Sequence, residues 1–338
     1  MKAAVYRGTG DIRIEEVDDP VPGPEEVLLR PYYCSVTDPG QKSWKYSGKI
    51  KPGTIIGHEF SAEVVSTGSE VVEWKVGDIV VASSIIPCFK CLLCREGKNY
   101  LCDDAKTIGF TVNGGFSELV VLPSTVLYPV PASITLKDAV LVSSLAKVLH
   151  GFNKVGLKPG QTILVIGAGI IGLLAVQVAR ICGASLVVVA DPNPSCRNLA
   201  GRLGAMHMID PVHSSLHEEF ERATNSPTAD VVVETTGVAA FAAQIFSMTR
   251  KGGKSLILGD SDTNIPTDFK AGVLKELTIH FSHRGCFEIP AALELMSKGI
   301  IDTSSLIAKE IRMEEVIDRG LHYFFEDLPN CAKLLVKI

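Results

Sequence analysis

A glycine-rich turn between two apolar segments is the feature that most constrains how this chain can fold. The apolar segment Thr162–Ile166 leads into the sequence Gly-Ala-Gly-Ile-Ile-Gly, and an apolar helical pattern then continues to about Cys182. A second apolar segment, Leu186–Ala190, ends at Asp191. This order predicts the first strand-helix-strand unit of a doubly wound parallel sheet. The alternative is an ordinary unit of this type whose glycine-rich turn binds nothing.

The three glycines of the turn suit a bound dinucleotide. Gly167 allows a tight turn, Gly169 lets the backbone approach a pyrophosphate, and Gly172 lets the helix pack closely on the strand. The free N–H groups and the positive dipole end of the helix, at Ile170 and Ile171, would face the anion. We therefore predict that these five residues bind a dinucleotide cofactor.

Asp191 bears on which dinucleotide binds. A carboxylate at the end of the second strand accepts hydrogen bonds from ribose hydroxyls and repels the 2′-phosphate of NADP. No arginine follows it immediately, because the next residues are Pro192, Asn193 and Pro194. Arg197 is close enough in sequence to leave NADP open. NAD is favoured, with Asp191 and Arg197 as further cofactor-binding residues.

The composition suits a globular protein large enough for two domains. The chain has 338 residues, of which 46% are hydrophobic and 21% are charged, and its net charge is −5. This charge, without basic clusters, argues against a general nucleic-acid-binding protein. The N-terminus has no apolar signal segment, and the longest apolar run, Ile163–Val176, is too short to cross a bilayer. We expect a cytoplasmic protein that binds neither nucleic acid nor membrane.

Four of the nine cysteines cluster in one short segment with the spacing C-x2-C-x2-C-x7-C. They are Cys88, Cys91, Cys94 and Cys102. Four thiolates can enclose Zn²⁺ without an open position, which describes a structural site, and the metal would stabilise a surface lobe over about 87–103. An iron–sulfur cluster and disulfides are the alternatives, although a cytosolic chain favours metal over disulfides. The scattered cysteines Cys182, Cys196, Cys286 and Cys331 are expected to be packing residues.

The apolar pattern changes twice along the chain. Before about residue 150, short alternating segments between turns predict a mostly β domain. From 150 to 285, strands alternate with helices and predict a parallel sheet. The tail predicts two helices, Ile289–Lys298 and Met313–Phe325, and a final strand, Ala332–Ile338. We therefore expect one domain made of 1–149 and 286–338, with a second domain of 150–285 inserted into it.

The strand limits follow from these patterns. In the first part they are Lys2–Arg7, Ile12–Val17, Val27–Tyr33, Phe60–Val65, Ile79–Ser83 and Phe116–Val121. In the middle part they are Ile163–Ile166, Leu186–Ala190, Met206–Ile209, Val231–Glu234, Ser255–Leu258 and Thr278–Ser282.

Several segments spread over nearly the whole chain form one further pattern. They are Gly57-His58-Glu59, Val76–Val80, Gly114–Glu118, Glu234–Gly237 and Lys251–Lys254, together with the four-cysteine lobe and the glycine turn. The chain thereby resembles the zinc-containing medium-chain dehydrogenases of alcohols, polyols and threonine. The resemblance implies an α/β protein with a GroES-like catalytic domain around a central Rossmann domain, and an active site in the cleft between them. It also implies that Thr236 binds the cofactor and that the chain forms a homodimer or homotetramer.

The activity implied by the resemblance is hydride transfer between a small-molecule secondary alcohol or polyol and NAD. A catalytic zinc would polarise the substrate oxygen while the nicotinamide carries the hydride. The implied zinc ligands are Cys34, His58 and Glu59, and Thr37 is implied as a hydroxyl of the proton relay.

Two positions depart from the family pattern. The family motif C-x-[ST]-D would place its ligand on Ser35, so Cys34 stands one residue too early. An alignment to the longer C-G-x-C form would instead place the ligand on Thr37. At the position where the family often has a glutamate, this chain has Ser143. Since neutral serine is a poor zinc ligand, the first ligand stays ambiguous and the site would be weaker or differently shaped.

Simpler structural roles exist for each of these residues. Cys34 could be a small buried side chain, His58 a hydrogen-bonded core histidine, and Thr37 a cap. Lys147 could replace the charge of a lost metal and polarise a carbonyl, or could be an ordinary surface lysine. His150 could contact ribose or bridge the domains.

Three functions therefore stay open. The first is the zinc-dependent dehydrogenase described above. The second is an enzyme of the same fold that has lost its catalytic zinc and reduces a carbonyl or a polarised double bond, using hydroxyls, His58 or Lys147 for proton transfer. The third is a non-catalytic dinucleotide-binding protein. The substrate pocket is expected to include the loops Gln41–Gly48 and Cys286–Pro290.

Overall fold

The chain divides into two compact units. The structure is a computed structural model that describes residues 1–37, 50–261, 263–321 and 331–338. The first unit contains Met1–Ser143 and, after Ile289, most of the C-terminal part, including Lys333–Ile338. The second unit contains Ser144–Glu288 and a short C-terminal segment with Cys331. The limits 149/150 and 285/286 stay our proposal for the domains.

The strands of the described residues are named in chain order. They are β1 (Lys2–Gly8), β2 (Asp11–Glu16), β3 (Glu26–Val36), β4 (Phe60–Thr67), β5 (Ile79–Ala82), β6 (Ile85–Ile86), β7 (Lys106–Thr107), β8 (Val120–Pro123), β9 (Leu127–Pro129), β10 (Thr162–Ile166), β11 (Leu186–Ala190), β12 (His207–Ile209), β13 (Ala229–Glu234), β14 (Thr249–Ile257), β15 (Thr278–Phe281), β16 (Ile307–Arg312) and β17 (Lys333–Lys337).

The helices are named in the same way. They are α1 (Leu92–Arg95), α2 (Leu136–Ala139), α3 (Val142–Val155), α4 (Ile170–Ile181), α5 (Pro194–Arg202), α6 (Leu216–Thr224), α7 (Ala239–Ala242), α8 (Ile245–Met248), α9 (Phe269–Lys275) and α10 (Ile289–Ser297). Short 3-10 turns lie at Asn99–Leu101, Ser124–Val126, Ser304–Leu306 and Met313–Glu315, and a π-helical segment lies at Val316–Leu321. No helix of the described residues is long and apolar enough to cross a membrane.

The first unit is built on a mainly antiparallel sheet with the strand order β16-β17-β3-β4-β5-β9, in which β8 also pairs with β3. Side chains alternate between the two faces of a strand. Cys34 and Val36 of β3 therefore share one face with Leu334 and Val336 of β17, and all four belong to the apolar core of this unit. Ser35, between the two core residues, faces the other way, and this alternation positions the candidate site.

The second unit contains a sheet of parallel strands in the order β12-β11-β10-β13-β14-β15. This is the order of a doubly wound nucleotide-binding sheet. Its central strands are buried on both faces, which explains their continuous apolar sequences. The predicted α/β fold class is confirmed, and the strand limits shift most at β14, which begins at Thr249 rather than Ser255.

Two predicted elements of the first unit differ from the structure. The strand predicted over Phe116–Val121 begins only at Val120, because the Phe116 N–H bonds to the Ile56 carbonyl at 3.0 Å instead of joining the sheet. The helix predicted over Met313–Phe325 is a 3-10 turn followed by π-helix in its described part. Val316 and Leu321 are both buried, and their separation of five residues matches one π-helical turn.

Candidate cofactor and metal sites

The glycine turn has no room for side chains. Gly167 has a φ of +98°, and a Cβ there would lie 2.6 Å from Thr235 Oγ1 and from Thr236 Cγ2. A Cβ on Gly172 would lie 2.0 Å from the Gly167 carbonyl oxygen. Helix α4 begins directly after Gly169, which caps it without a side chain. The backbone N–H groups at Ile170 and Ile171 therefore belong to the first turn of an unobstructed helix N-terminus, which suits a pyrophosphate.

Asp191 is held against this turn. Its Oδ2 accepts a hydrogen bond from the Ala168 N–H at 2.7 Å, and its Oδ1 accepts one from the Asn193 N–H at 2.8 Å. Arg197 donates from Nη1 to the Asp191 carbonyl at 2.6 Å and pairs with Asp210 at 3.1 Å. The carboxylate is thus fixed at the end of β11, and the positive charge of Arg197 already has an acidic partner.

Thr236 lies on the opposite side of the glycine turn, at the end of β13. Its N–H and its hydroxyl donate to Glu234 Oε1 at 2.6 and 2.5 Å, and the Gly237 N–H donates to the same oxygen at 2.9 Å. Glu234 is fully buried and organises this second turn. The sequence motif contained Glu234 but did not predict a role for it. An acidic residue at the end of a buried apolar strand could have indicated that its carboxylate organises the following turn.

The four-cysteine lobe brings its thiols together. The Sγ atoms of Cys88, Cys91, Cys94 and Cys102 lie within 4.8 Å of one another, and Cys91 and Cys102 are 3.9 Å apart. Tetrahedral zinc with Zn–S bonds of about 2.3 Å requires sulfur atoms roughly 3.8 Å apart. All four are free thiols, whereas a disulfide needs a separation of about 2.05 Å. The donor set therefore fits a structural zinc.

Burial of apolar side chains contributes little to the stability of this lobe. Its helix α1 has no buried residue, and Phe89 and Leu92 are 50% and 71% exposed. Backbone N–H groups of Lys90 and Cys91 lower the pKa of Cys88 to about 7. Desolvation and the neighbouring thiols raise the pKa of Cys94 to about 12. A divalent cation would allow both thiols to ionise, and it would supply folding energy that burial does not.

The predicted catalytic zinc ligands Cys34, His58 and Glu59 have different surroundings among the described residues. Cys34 is fully buried in the apolar core, and its Sγ would lie 2.8 Å from a Cβ on Gly57. Burial raises the pKa of the Cys34 thiol well above its ordinary value. The side chain of Ser35 faces the other way and donates to Glu59 Oε2 at 2.7 Å. Ser35 therefore bonds the Glu59 carboxylate, whereas the Cys34 thiol lies against Gly57 and the Glu59 backbone.

A buried ion pair occupies the Glu59 carboxylate. Lys333 Nζ lies 2.6 Å from Glu59 Oε2, and the two side chains are 7% and 8% exposed. Burial by itself would raise the pKa of Glu59, but Lys333, His58 and Ser35 outweigh it and lower this pKa to about 2. Sequence reasoning missed Lys333, although a lysine inside the apolar terminal strand was a visible signal.

His58 and Thr37 line a small pocket. The pocket has a volume of about 20 Å³ and is also lined by Ser35, Gly57 and Phe110, among others. This volume suits about one water molecule. The His58 ring lies 5.4 Å from the Phe110 ring, and burial lowers the pKa of His58. The imidazole is therefore neutral at pH 7.

Within the described ranges, the four cysteines of the lobe are the one group of three or more His, Cys, Asp or Glu side chains with the spacing of a metal site. Cys34, His58 and Glu59 do not form such a group among the described residues. Lys147 donates from Nζ to the Leu258 carbonyl at 2.9 Å, and His150 Nδ1 lies 2.8 Å from a Glu288 oxygen. The predicted pocket loop 41–48 lies outside the described residues.

Comparison with known proteins decides the family. The family model for the alcohol dehydrogenase GroES-like domain matches residues 23–132, and that for zinc-binding dehydrogenases matches residues 171–298. Sorbitol dehydrogenase of Bacillus subtilis (strain 168) is 30% identical over 347 residues, which cover 99% of this chain and 97% of the relative. The chain belongs to the zinc-containing medium-chain dehydrogenases.

Further members of this family support the same assignment. L-threonine 3-dehydrogenase of Pyrococcus horikoshii is 33% identical over 78% of this chain and 77% of its own length. A zinc-binding dehydrogenase of Sinorhizobium meliloti 1021, solved with NADP bound, matches with a TM-score of 0.95 at 28% identity, covering 100% of this chain and 99% of the other. The resemblance predicted from the sequence motifs is thereby confirmed, as is its implied class of alcohol or polyol dehydrogenase.

Proposed function

We propose that this medium-chain dehydrogenase transfers hydride between NAD and a secondary alcohol or polyol. The observation that carries the proposal is the cofactor turn, in which Gly167 and Gly172 exclude side chains beside the N-terminus of α4. The substrate class is supported by the relatives, because sorbitol and L-threonine both carry secondary hydroxyl groups. A homodimer or homotetramer stays part of the proposal.

NAD is the proposed cofactor rather than NADP. The Asp191 carboxylate at the end of β11 would accept hydrogen bonds from ribose hydroxyls and repel a 2′-phosphate. Arg197 could attract that phosphate, but its guanidinium is paired with Asp210. NADP is the alternative to be tested, because the structure of the Sinorhizobium meliloti relative contains bound NADP.

The proton chemistry is assigned to His58. Bound nicotinamide supplies the hydride acceptor or donor. Oxidation of an alcohol also releases a proton from its oxygen, and reduction of a carbonyl takes one up. His58 is neutral and lines a pocket with the Thr37 hydroxyl, so its ring nitrogen can accept the proton and the hydroxyl can pass it on.

The test is turnover by a His58→Gln variant. Purified protein is assayed with a panel of secondary alcohols, polyols and ketones against NAD, NADP and their reduced forms. We expect turnover with NAD and a fall in kcat of about 10² to 10⁴ in His58→Gln, the usual worth of a general base, with NAD affinity unchanged. His217→Gln is the matched control, because His217 is exposed on α6.

Two results would contradict the proposal. Binding of NAD without turnover of any compound in either direction would make the chain a non-catalytic dinucleotide-binding protein. Turnover by His58→Gln at the rate of His217→Gln would remove His58 from the mechanism.

A further inference from the structure

One oxygen of the Glu59 carboxylate, Oε2, already has two polar partners. This oxygen receives the Lys333 ammonium at 2.6 Å and the Ser35 hydroxyl at 2.7 Å. All three side chains are buried. A divalent cation at this oxygen would have to share it with a buried ammonium group, and like charges at this distance repel strongly.

The thiol of Cys34 points to the opposite face of the sheet from the Ser35 hydroxyl. Cys34 pairs with Val336 and Phe60 across the neighbouring strands, and these residues belong to the apolar core. Ser35 pairs with Leu335 on the opposite face, which also carries Lys333 two residues earlier. Turning Cys34 toward Glu59 would shift β3 by one residue and expose its core side chains on the wrong face.

Among the described residues, His58 does not belong to a group of three side chains with metal-site spacing. A zinc site requires three or four donors in the first coordination sphere. Around His58 the pocket offers the hydroxyls of Ser35 and Thr37 among the described residues, and neutral hydroxyls are poor ligands for zinc. The pocket therefore suits a water molecule and a neutral imidazole better than a metal ion.

We propose that this dehydrogenase has no catalytic metal and holds one zinc per chain, in the four-cysteine lobe. The Ser35–Glu59–Lys333 cluster occupies the position beside His58 at which ligands of a catalytic metal would lie. Its role is to hold His58 in position. The assignment of proton transfer to His58 rests on the proposed function, whereas the number of metal ions does not.

The test is the number of zinc ions per chain, measured by elemental analysis of protein grown with added zinc. We expect one zinc in the wild type and none in Cys94→Ser. The Ser35→Cys variant puts a thiol on the face that carries Glu59, beside His58, and we expect its count to rise toward two. Ser61→Cys is the matched control, because Ser61 is equally buried but donates to the Leu136 carbonyl, and its count should stay at one.

Each outcome decides a part of the proposal. Two zincs in the wild type, one of which is lost in His58→Gln, would overturn it. A count of one in Ser35→Cys, with the fold intact by circular dichroism, would show that Ser35 is not what excludes the metal. Absence of turnover with every compound would refute the proposed function alone, because the zinc counts are measured without substrate or cofactor.

Discussion

Replacing Lys333 by methionine should destabilise the first unit by several kcal/mol. The change keeps the length of the side chain but leaves the Glu59 carboxylate buried without its cation. Lys333, together with His58 and Ser35, lowers the pKa of Glu59 from its ordinary 4.5 to about 2. Since a tenfold change in proton affinity corresponds to about 1.4 kcal/mol, the ionised form is stabilised by about 3 kcal/mol. Breaking a buried pair commonly costs about 3–5 kcal/mol, which agrees with this value.

The effect should depend on pH. Because the folded-state pKa of Glu59 lies below its unfolded value, the stabilisation is fully present above about pH 4.5 and is lost as pH falls toward 2. In Lys333→Met, burial raises the pKa of Glu59 without a cation to oppose it. The variant can then protonate Glu59 on acidification, so its deficit against the wild type should be largest at neutral pH and should shrink in acid.

Tryptophan fluorescence during urea unfolding measures this deficit. Trp74 packs against the apolar core of the unit that holds the pair, so its signal reports on that unit. Lys337→Met is the matched control, because Lys337 lies on the same strand β17 and is exposed. A free energy of unfolding for Lys333→Met within about 1 kcal/mol of this control at pH 7, the level of an exposed ion pair, would refute the reasoning.

Two further predictions concern the cofactor turn and the lobe. Asp191→Asn should lower the preference for NAD over NADP at least about tenfold, because a charged hydrogen-bond acceptor contributes roughly 1.5–3 kcal/mol. Calorimetric titration with both dinucleotides measures the ratio of the two affinities. An unchanged ratio would show that Asp191 does not select the cofactor. Cys94→Ser should release the zinc and make the segment 88–102 sensitive to protease. The control Cys182→Ser, a substitution at the end of α4, should do neither. A Cys94→Ser protein as resistant to protease as this control would show that the lobe folds without metal.

The cofactor turn and the four-cysteine lobe could be predicted from the sequence because both depend on residues close together in the chain. The spacing of Gly167, Gly169 and Gly172 within one turn already implies a backbone that no side chain can enter. The cysteines lie within fifteen residues, so a short loop suffices to bring four thiols together. The succession of apolar strand segments and helical segments likewise predicted the parallel sheet, with strand ends displaced by up to six residues at β14.

The surroundings of His58 could not be predicted in the same way, because residues far apart in sequence make them. Lys333 and Glu59 are separated by 274 positions and meet only because β17 pairs with β3. That register also decides which of Cys34 and Ser35 faces Glu59, since side chains alternate strictly along a strand. Local spacing was therefore enough to predict the family, the nucleotide fold and the four-cysteine lobe. The pairing of distant strands in the folded protein brings a lysine to the carboxylate beside His58, and no local pattern could have predicted that contact.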